Sequence, residues 1–229
     1  NNIKKTCQVI GQSLRFMLIL LVPSVILMSV FARPLTRLFY SHRYIDAAYP
    51  MSILVWGVGF LTIYYVLCFV MSGAGRVKIP LYISILGLAL NTILNYFMIK
   101  SYGIVGSAVA TSITSVVITI IMLRYLWNYF GVGISPKTLI KIFLAGAVMY
   151  KVATYFPKQE LMFLLWSAIL FVFYLALLFI LREIKKEDLS IIKKIISRKK
   201  VSEVKKNFPA TNPALNQNYF LFYISPPIN

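Results

Sequence analysis

Residues 79–123 read IPLYISILGLALNTILNYFMIKSYGIVGSAVATSITSVVITIIML and contain one charged residue, Lys100. The charge-free run on each side of Lys100 is long enough to cross a bilayer as an α-helix, because about 20 residues at ~1.5 Å each span the ~30 Å hydrocarbon core. A charge at the centre of such a helix would cost about 2.5–3.5 kcal/mol on insertion. This stretch therefore predicts two consecutive transmembrane helices, at 79–99 and 103–124.

The same argument, carried outward, adds four spans. Charge-free runs at 16–32, 47–75 and 161–181 predict spans at about 14–32, 49–72 and 161–181, and Pro23 in the first predicts a kink. The run at 138–157 is weaker because it contains Lys141 and Lys151. Both lysines lie within two turns of an end, where a long side chain can reach the headgroups. The sequence thus predicts an all-α integral membrane protein with about six transmembrane helices in residues 1–183.

Composition and charge agree with lipid as the solvent. The 229 residues are 59% hydrophobic and 13% charged, with mean hydropathy +0.78, whereas soluble domains carry about 25% charged residues. The net charge of +18 does not indicate nucleic acid, because the basic residues lie at the ends of apolar runs and ten of the 24 fall in 182–206. Anionic membrane lipids are the expected partners of these residues.

The basic residues also predict orientation. If the C-terminal tail is cytoplasmic and the six spans alternate, basic residues favour the cytoplasmic side three to one, as the positive-inside rule requires. The sequence therefore predicts a multi-pass protein of the cytoplasmic membrane. Its basic tail, 184–229, is predicted to be cytoplasmic and to be flexible after residue 206.

No catalytic or metal-binding set is visible in the sequence. His42 is the sole histidine, and Asp46 and Glu160 are the only acids before residue 183, far apart and both in loops. Paired carboxylates for acid–base chemistry are therefore lacking. Cys7 and Cys68 have no metal or disulfide spacing. We predict neither an enzyme nor a bound metal or cofactor.

Two pairs of polar residues inside predicted spans are candidates for lining a hydrophilic path. Asn91 and Asn95 are four residues apart and share one helix face, where exposure to lipid would be costly. Tyr64 and Tyr65 lie inside a span and away from its ends, where an aromatic belt would place them. Hydrogen bonding between packed helices is the alternative for both pairs.

The turn before the third span is a second candidate site. Residues 72–80 read SGAGRVKIP, with the proline opening the next helix. Arg76 and Lys78 in this turn could contact a phosphate group at the cytoplasmic mouth of a path. The alternative is that both act only as topology anchors.

A family resemblance lies in the order of five motifs. They are RPLTRLF at 33–39, AAYP at 47–50, GAGRVKIP at 73–80, LNTILNYF at 90–97 and YGIVGSAVAT at 102–111. In this order they resemble the C-terminal half of polysaccharide flippases in the multidrug/oligosaccharidyl-lipid/polysaccharide exporter superfamily. The similarity is carried by residues 16–123, and the last two spans agree only in number and position.

The resemblance implies two lobes of a 12–14-helix transporter around a central cavity, with the six spans similar to helices nine to fourteen. It implies that a lipid-linked oligosaccharide on a polyprenyl (pyro)phosphate is flipped by alternating access, with an N-terminal half of the same protein as partner. A multidrug or ion-coupled exporter of the superfamily is the first alternative, although it would usually need an acidic residue within a span. A membrane-embedded glycosyltransferase is the second, and it would need acidic or histidine residues in a large external loop.

Overall fold

The computed structural model describes residues 2–40, 42–131, 136–156, 162–181 and 183, all within a compact unit that ends at Glu183. These residues form helices and contain no strand, which confirms the predicted all-α class. The predicted tail, 184–229, and Glu160 lie outside the described residues. A 3₁₀ segment, His42–Ala47, joins the second and third helices. The helices are α1 (Asn2–Val30), α2 (Ala32–Tyr40), α3 (Ala48–Gly73), α4 (Lys78–Phe130), α5 (Pro136–Tyr155) and α6 (Met162–Ile180).

Helix α4 is folded back on itself. Its 53 residues would extend about 80 Å if straight, more than twice the hydrocarbon thickness. The backbone leaves helical geometry at Gly103, with φ 57° and ψ −135°. A β-carbon on Gly106 would collide with the Met98 carbonyl, although residues eight apart in a straight helix are separated by about 12 Å. The helix is therefore a hairpin of a first limb, 78–102, and a second limb, 104–130.

Contacts farther along α4 show that its limbs are antiparallel. A β-carbon on Gly87 in the first limb would lie 2.9 Å from Ile118 Cγ2 in the second. Small residues at the start of the second limb permit this approach, with Ala108 and Ala110 both buried. Within the part of the chain that the structure describes, five helices are long and apolar enough to cross a membrane. Because α4 contributes two limbs, the described residues provide six spans, as the sequence predicts.

Helices α1, α3 and α4 pack around one apolar cluster near the N-terminal end of the bundle. The Cys7 thiol lies 3.5 Å from the Phe130 carbonyl oxygen, which places the start of α1 beside the end of α4. Helix α1 continues through Pro23 to Val30. The buried members of the cluster are Ile10, Leu14, Tyr64, Leu67, Met71, Ile83, Ile118, Met122 and Leu126.

Helix α1 also contacts α5 on its other side. A β-carbon on Gly146 of α5 would lie 2.9 Å from Val22 Cγ1 and 3.1 Å from Ile26 Cδ1. Helix α6 buries one stripe of side chains, Phe163, Leu170, Tyr174 and Leu178. The glycine allows α5 to approach α1 closely, as small residues do in membrane helix packing.

Helix α2 is a short helix that span prediction does not detect. It has nine residues and begins two positions after α1 ends. Nine helical residues rise only about 14 Å, too little to cross a membrane. Helix α2 and the 3₁₀ segment therefore connect two spans at the end of the bundle opposite the N-terminus.

Candidate functional site

The tyrosine pair is divided between the interior of the bundle and its surface. Tyr64 is only 3% exposed, and its hydroxyl donates to the Pro80 carbonyl oxygen at 3.2 Å and lies 2.7 Å from Ser84 Oγ. Tyr65, one position on, is 54% exposed. For Tyr64 this is the alternative left open by the sequence, a hydrogen bond between packed helices, here between α3 and the first limb of α4. Tyr65 points elsewhere because adjacent helical residues are about 100° apart. Tyr65 alone of the pair is available to a cavity.

The asparagine pair forms a local polar unit on the first limb of α4. The Asn95 side-chain amide donates to the Asn91 side-chain oxygen, and both residues are half-buried. The Asn95 side-chain oxygen is itself buried and has no hydrogen-bond partner among the described residues. A buried acceptor left unpaired costs about 1–3 kcal/mol. The pair therefore has unused hydrogen-bonding capacity.

The turn between α3 and α4 owes its shape to Gly75. With φ 77°, Gly75 takes a left-handed conformation that glycine tolerates best. The Gly75 amide donates to the Ser72 carbonyl at 2.9 Å and the Arg76 amide to the Met71 carbonyl at 3.0 Å, the double bond pattern of a Schellman cap. This cap ends α3 sharply and leaves the basic side chains of the turn on the surface.

Arg76 and Lys78 are both exposed at this turn. The Arg76 guanidinium lies over the Tyr129 ring at 4.7 Å from its centroid, within range of a cation–π interaction. This contact holds Arg76 against the end of the second limb of α4. The two basic side chains therefore lie at the end of the bundle that also contains the start of α1.

The predicted site residues lie at three levels of the bundle. Arg76 and Lys78 are at the turn between α3 and α4. Tyr64 of α3 contacts Ser84 in the first limb of α4, and Asn91 lies seven residues beyond Ser84, about 10 Å at the helical rise. These residues are therefore spread along α3 and the first limb of α4 and do not form one pocket.

A buried ion pair between α5 and the end of α6 is a feature that sequence reasoning missed. Lys141 Nζ lies 3.0 Å from Glu183 Oε1 and donates to the Leu181 carbonyl at 3.0 Å. The Thr138 hydroxyl lies 3.3 and 3.4 Å from the two Glu183 carboxylate oxygens. The Glu183 side chain is 8% exposed and that of Lys141 is 37% exposed. Lys141 is thus neutralised by a partner instead of depending only on the headgroups.

A shallow cleft of about 370 Å³ opens at the end opposite the N-terminus. It lies between the 3₁₀ segment, the start of α3 and the bend of α4. Arg43 and Asp46 contribute both signs of charge to it, and Ile104 and Val105 line its apolar side. The sequence did not indicate this cleft, because its walls come from segments some 60 residues apart.

Apolar spanning helices, a hairpin of two spans in α4, and polar groups on α3 and the first limb of α4 define a multi-pass helical membrane protein. Residues 1–97 match the MatE family model. The fold is similar to that of the lipid II flippase MurJ in an inward closed conformation, with TM-score 0.69 and 22% identity over 79% of this chain and 40% of that chain. The family match covers the first three helices and part of the fourth, and the structural match shows a shared fold over most of this chain.

Two relatives come from Methanocaldococcus jannaschii. Uncharacterized membrane protein MJ1068 is 28% identical over 131 residues, which cover 57% of this chain and 26% of the relative. Uncharacterized membrane protein MJ1375 is 42% identical over 62 residues, which cover 27% of this chain and 15% of the relative. The matched region is thus about a quarter or less of each relative's length.

Proposed function

We propose that the chain is the C-terminal portion of a transporter that flips a lipid-linked oligosaccharide across the cytoplasmic membrane. The observation that carries this proposal is the fold match to the lipid II flippase, which extends over most of this chain. The order of motifs in residues 33–111 favours the same class of substrate. The process moves a substrate and breaks no covalent bond.

The proposed mechanism is alternating access, in which two lobes rock around a hydrated cavity. The six spans described here would form part of one lobe, and an N-terminal half of the same protein would provide the other. The cavity would hold the sugar and (pyro)phosphate while the polyprenyl chain remains in lipid. Moving so polar a group through hydrocarbon without a cavity would be prohibitively costly.

Three features on α3, the first limb of α4 and the turn between them support this path. The Asn91–Asn95 pair has an unused acceptor that a sugar hydroxyl or water could satisfy. Tyr65 is exposed, with Tyr64 fixing the helix behind it. Arg76 and Lys78 would contact phosphate at the cytoplasmic mouth, where the Arg76–Tyr129 contact leaves the guanidinium edges free to donate.

The proposed orientation places the N-terminal end of the bundle and the tail in the cytoplasm. Green fluorescent protein fused after Asn229 is expected to fluoresce, whereas alkaline phosphatase at the same position is expected to be inactive. The reverse pattern would contradict the orientation and move Arg76 and Lys78 to the external mouth.

Binding measurements test the substrate class. Native mass spectrometry of the detergent-solubilised chain is expected to show an adduct with a polyprenyl-pyrophosphate oligosaccharide. Free oligosaccharide and the organic cation ethidium serve as competitors. Preferential binding of ethidium would favour the multidrug exporter instead, and no binding of either would count against a substrate path in this chain.

Photocrosslinking then locates the path. A benzophenone amino acid at Tyr65 or Arg76 is expected to crosslink the same lipid-linked oligosaccharide. The matched control is Leu165 on α6, which is 67% exposed but lies outside the proposed path. Equal crosslinking at all three positions would show lipid partitioning and not a binding path.

A further inference from the structure

Helix α2 is fixed at the level of the membrane boundary by contacts just before its first residue and at its middle. Phe31, between α1 and α2, is 1% exposed and packs on Phe163, the second residue of α6, with ring centroids 6.1 Å apart. The Thr36 hydroxyl lies 3.6 Å from the sulfur of Met51, in the first turn of α3. Because α3 and α6 begin their spans there, α2 lies where the hydrocarbon ends.

The side chains of α2 separate into two stripes. Ala32, Leu35 and Phe39 follow the three- and four-residue spacing of one helix face, with Leu38 beside them. Arg33 and Arg37 are four residues apart and share the opposite face. A short helix with an apolar stripe and an arginine stripe is typical of segments that lie in the membrane interface.

The protein covers only the first half of the apolar stripe. Ala32 is 4% exposed, whereas Leu38 is 50% and Phe39 is 72% exposed. Burying an exposed aromatic or leucine side chain is worth about 1.5–3 kcal/mol. The second half of α2 thus offers an uncovered apolar surface at the depth where hydrocarbon meets headgroups.

The surroundings of this surface also match an interface. Tyr40, Tyr44 and Tyr49 are 64%, 57% and 66% exposed, and tyrosine is enriched where a membrane meets water. Arg33 and Arg43 are exposed as well. Tyrosine has an apolar ring and a polar hydroxyl, and arginine binds phosphate through its guanidinium group. Together they fit the phosphate and ester layer of phospholipids better than they fit either water or hydrocarbon.

We propose that α2 is an interfacial helix that inserts Leu38 and Phe39 into the outer part of the phospholipid acyl region, with Arg33 bound to lipid phosphate. Its occupant is the phospholipid of the leaflet at this end of the bundle. This assignment does not depend on what the transporter carries.

Spin-label accessibility tests the proposal in the 229-residue chain. Cys7→Ala and Cys68→Ala give a background without native thiols, and Phe39→Cys is labelled in phosphatidylcholine–phosphatidylglycerol nanodiscs. Val172→Cys, at a site 65% exposed in the middle of α6, marks the hydrocarbon limit. Free label in buffer marks the aqueous limit. Circular dichroism and gel filtration matching those of the parent confirm folding.

The label at Phe39→Cys is expected to collide more often with oxygen than with a nickel chelate. Free label in buffer shows the opposite order. Its oxygen-to-nickel ratio should fall between the two limits, and Leu38→Cys should give the same ordering. Adding Arg33→Gln should shift the ratio toward the aqueous limit. Dominant nickel collisions would show a water-exposed helix, and low collision rates with both reagents would show a surface covered by protein. Either result would overturn the proposal.

Discussion

The Thr119 hydroxyl lies 2.9 Å from the Phe60 carbonyl oxygen of α3 and 2.6 Å from the Ser115 carbonyl oxygen of its own helix. One proton is therefore shared between two helices. Seven residues earlier, the Ser112 hydroxyl lies 3.3 Å from the carbonyl of Ile53, which is also seven residues before Phe60. The equal spacing shows that α3 and the second limb of α4 are parallel and in register over two turns.

The shared proton predicts a measurable loss of stability on removal of the Thr119 hydroxyl. Thr119→Val keeps the side-chain shape and should lower the free energy of unfolding by about 0.6–1.7 kcal/mol, the range for hydrogen bonds between membrane helices. Steric trapping in bicelles measures this change. Thr62→Val is the matched control, because the Thr62 hydroxyl bonds only within α3, to Val58. An equal loss in both variants would show that the bond between helices contributes nothing.

Gly57 sets the distance between the same two helices. A β-carbon at this position would lie 2.6 Å from Ser112 Oγ and 2.7 Å from Ser112 Cα, and the backbone atom cannot rotate away. Gly57→Ala should therefore destabilise the bundle by about 1–3 kcal/mol, as overpacking does. Gly73→Ala is the control, since no atom lies within 4 Å of its β-carbon position. Thermal unfolding in detergent should separate the two variants, and indistinguishable melting temperatures would contradict the packing.

Gly103 controls the bend of α4 through its backbone and not through crowding. Its β-carbon position has no neighbour within 4 Å, but φ is 57° with ψ −135°. Gly103→Ala should cost about 1–3 kcal/mol, because the backbone must hold a residue with a side chain in a strained region. Ile104→Ala is a control at the adjacent position, 76% exposed. Equal unfolding free energies in steric trapping would show that the bend tolerates any residue.

The Lys141–Glu183 pair predicts a charge-swap rescue. Lys141→Glu leaves two carboxylates together and should destabilise the bundle. Breaking a buried pair costs about 3–5 kcal/mol, and the loss should be near the lower end of this range because Lys141 is 37% exposed. The double variant Lys141→Glu, Glu183→Lys restores opposite charges and should recover much of the loss. Chemical unfolding in micelles measures each step. Additive losses would show that the two residues are not coupled.

Much of the fold was predictable because lipid imposes a simple rule on length and charge. The spans at 79–99 and 103–124 follow from two charge-free runs around Lys100, and they fall in the two limbs of α4. Helix α2 was not predictable in this way, because an interfacial helix needs neither the length nor the freedom from charge of a span. The position of α2 at the membrane boundary became apparent only from the contacts of Phe31 with Phe163 and of Thr36 with Met51.

Less of the candidate site was predictable, because side-chain direction depends on which helices pack together. Sequence reasoning treated Tyr64 and Tyr65 alike, but the contact of Tyr64 with Ser84 buries one and exposes the other. It also placed Glu183 at the last position of the transmembrane region without a partner. The antiparallel pairing of α5 and α6 would have placed a residue just after α6 beside the first turns of α5, where Lys141 lies.

The bend at Gly103 has a consequence for how the protein is made. Helical geometry is interrupted at a single residue, so the two limbs of α4 are joined without a loop. The translocon therefore has no connecting segment to move across the membrane separately from the limbs. The limbs should therefore leave the translocon together as a preformed hairpin, with Lys100 at its leading tip. A protease added on the side of the membrane that the bend faces would find no stretch of extended chain between them to cleave.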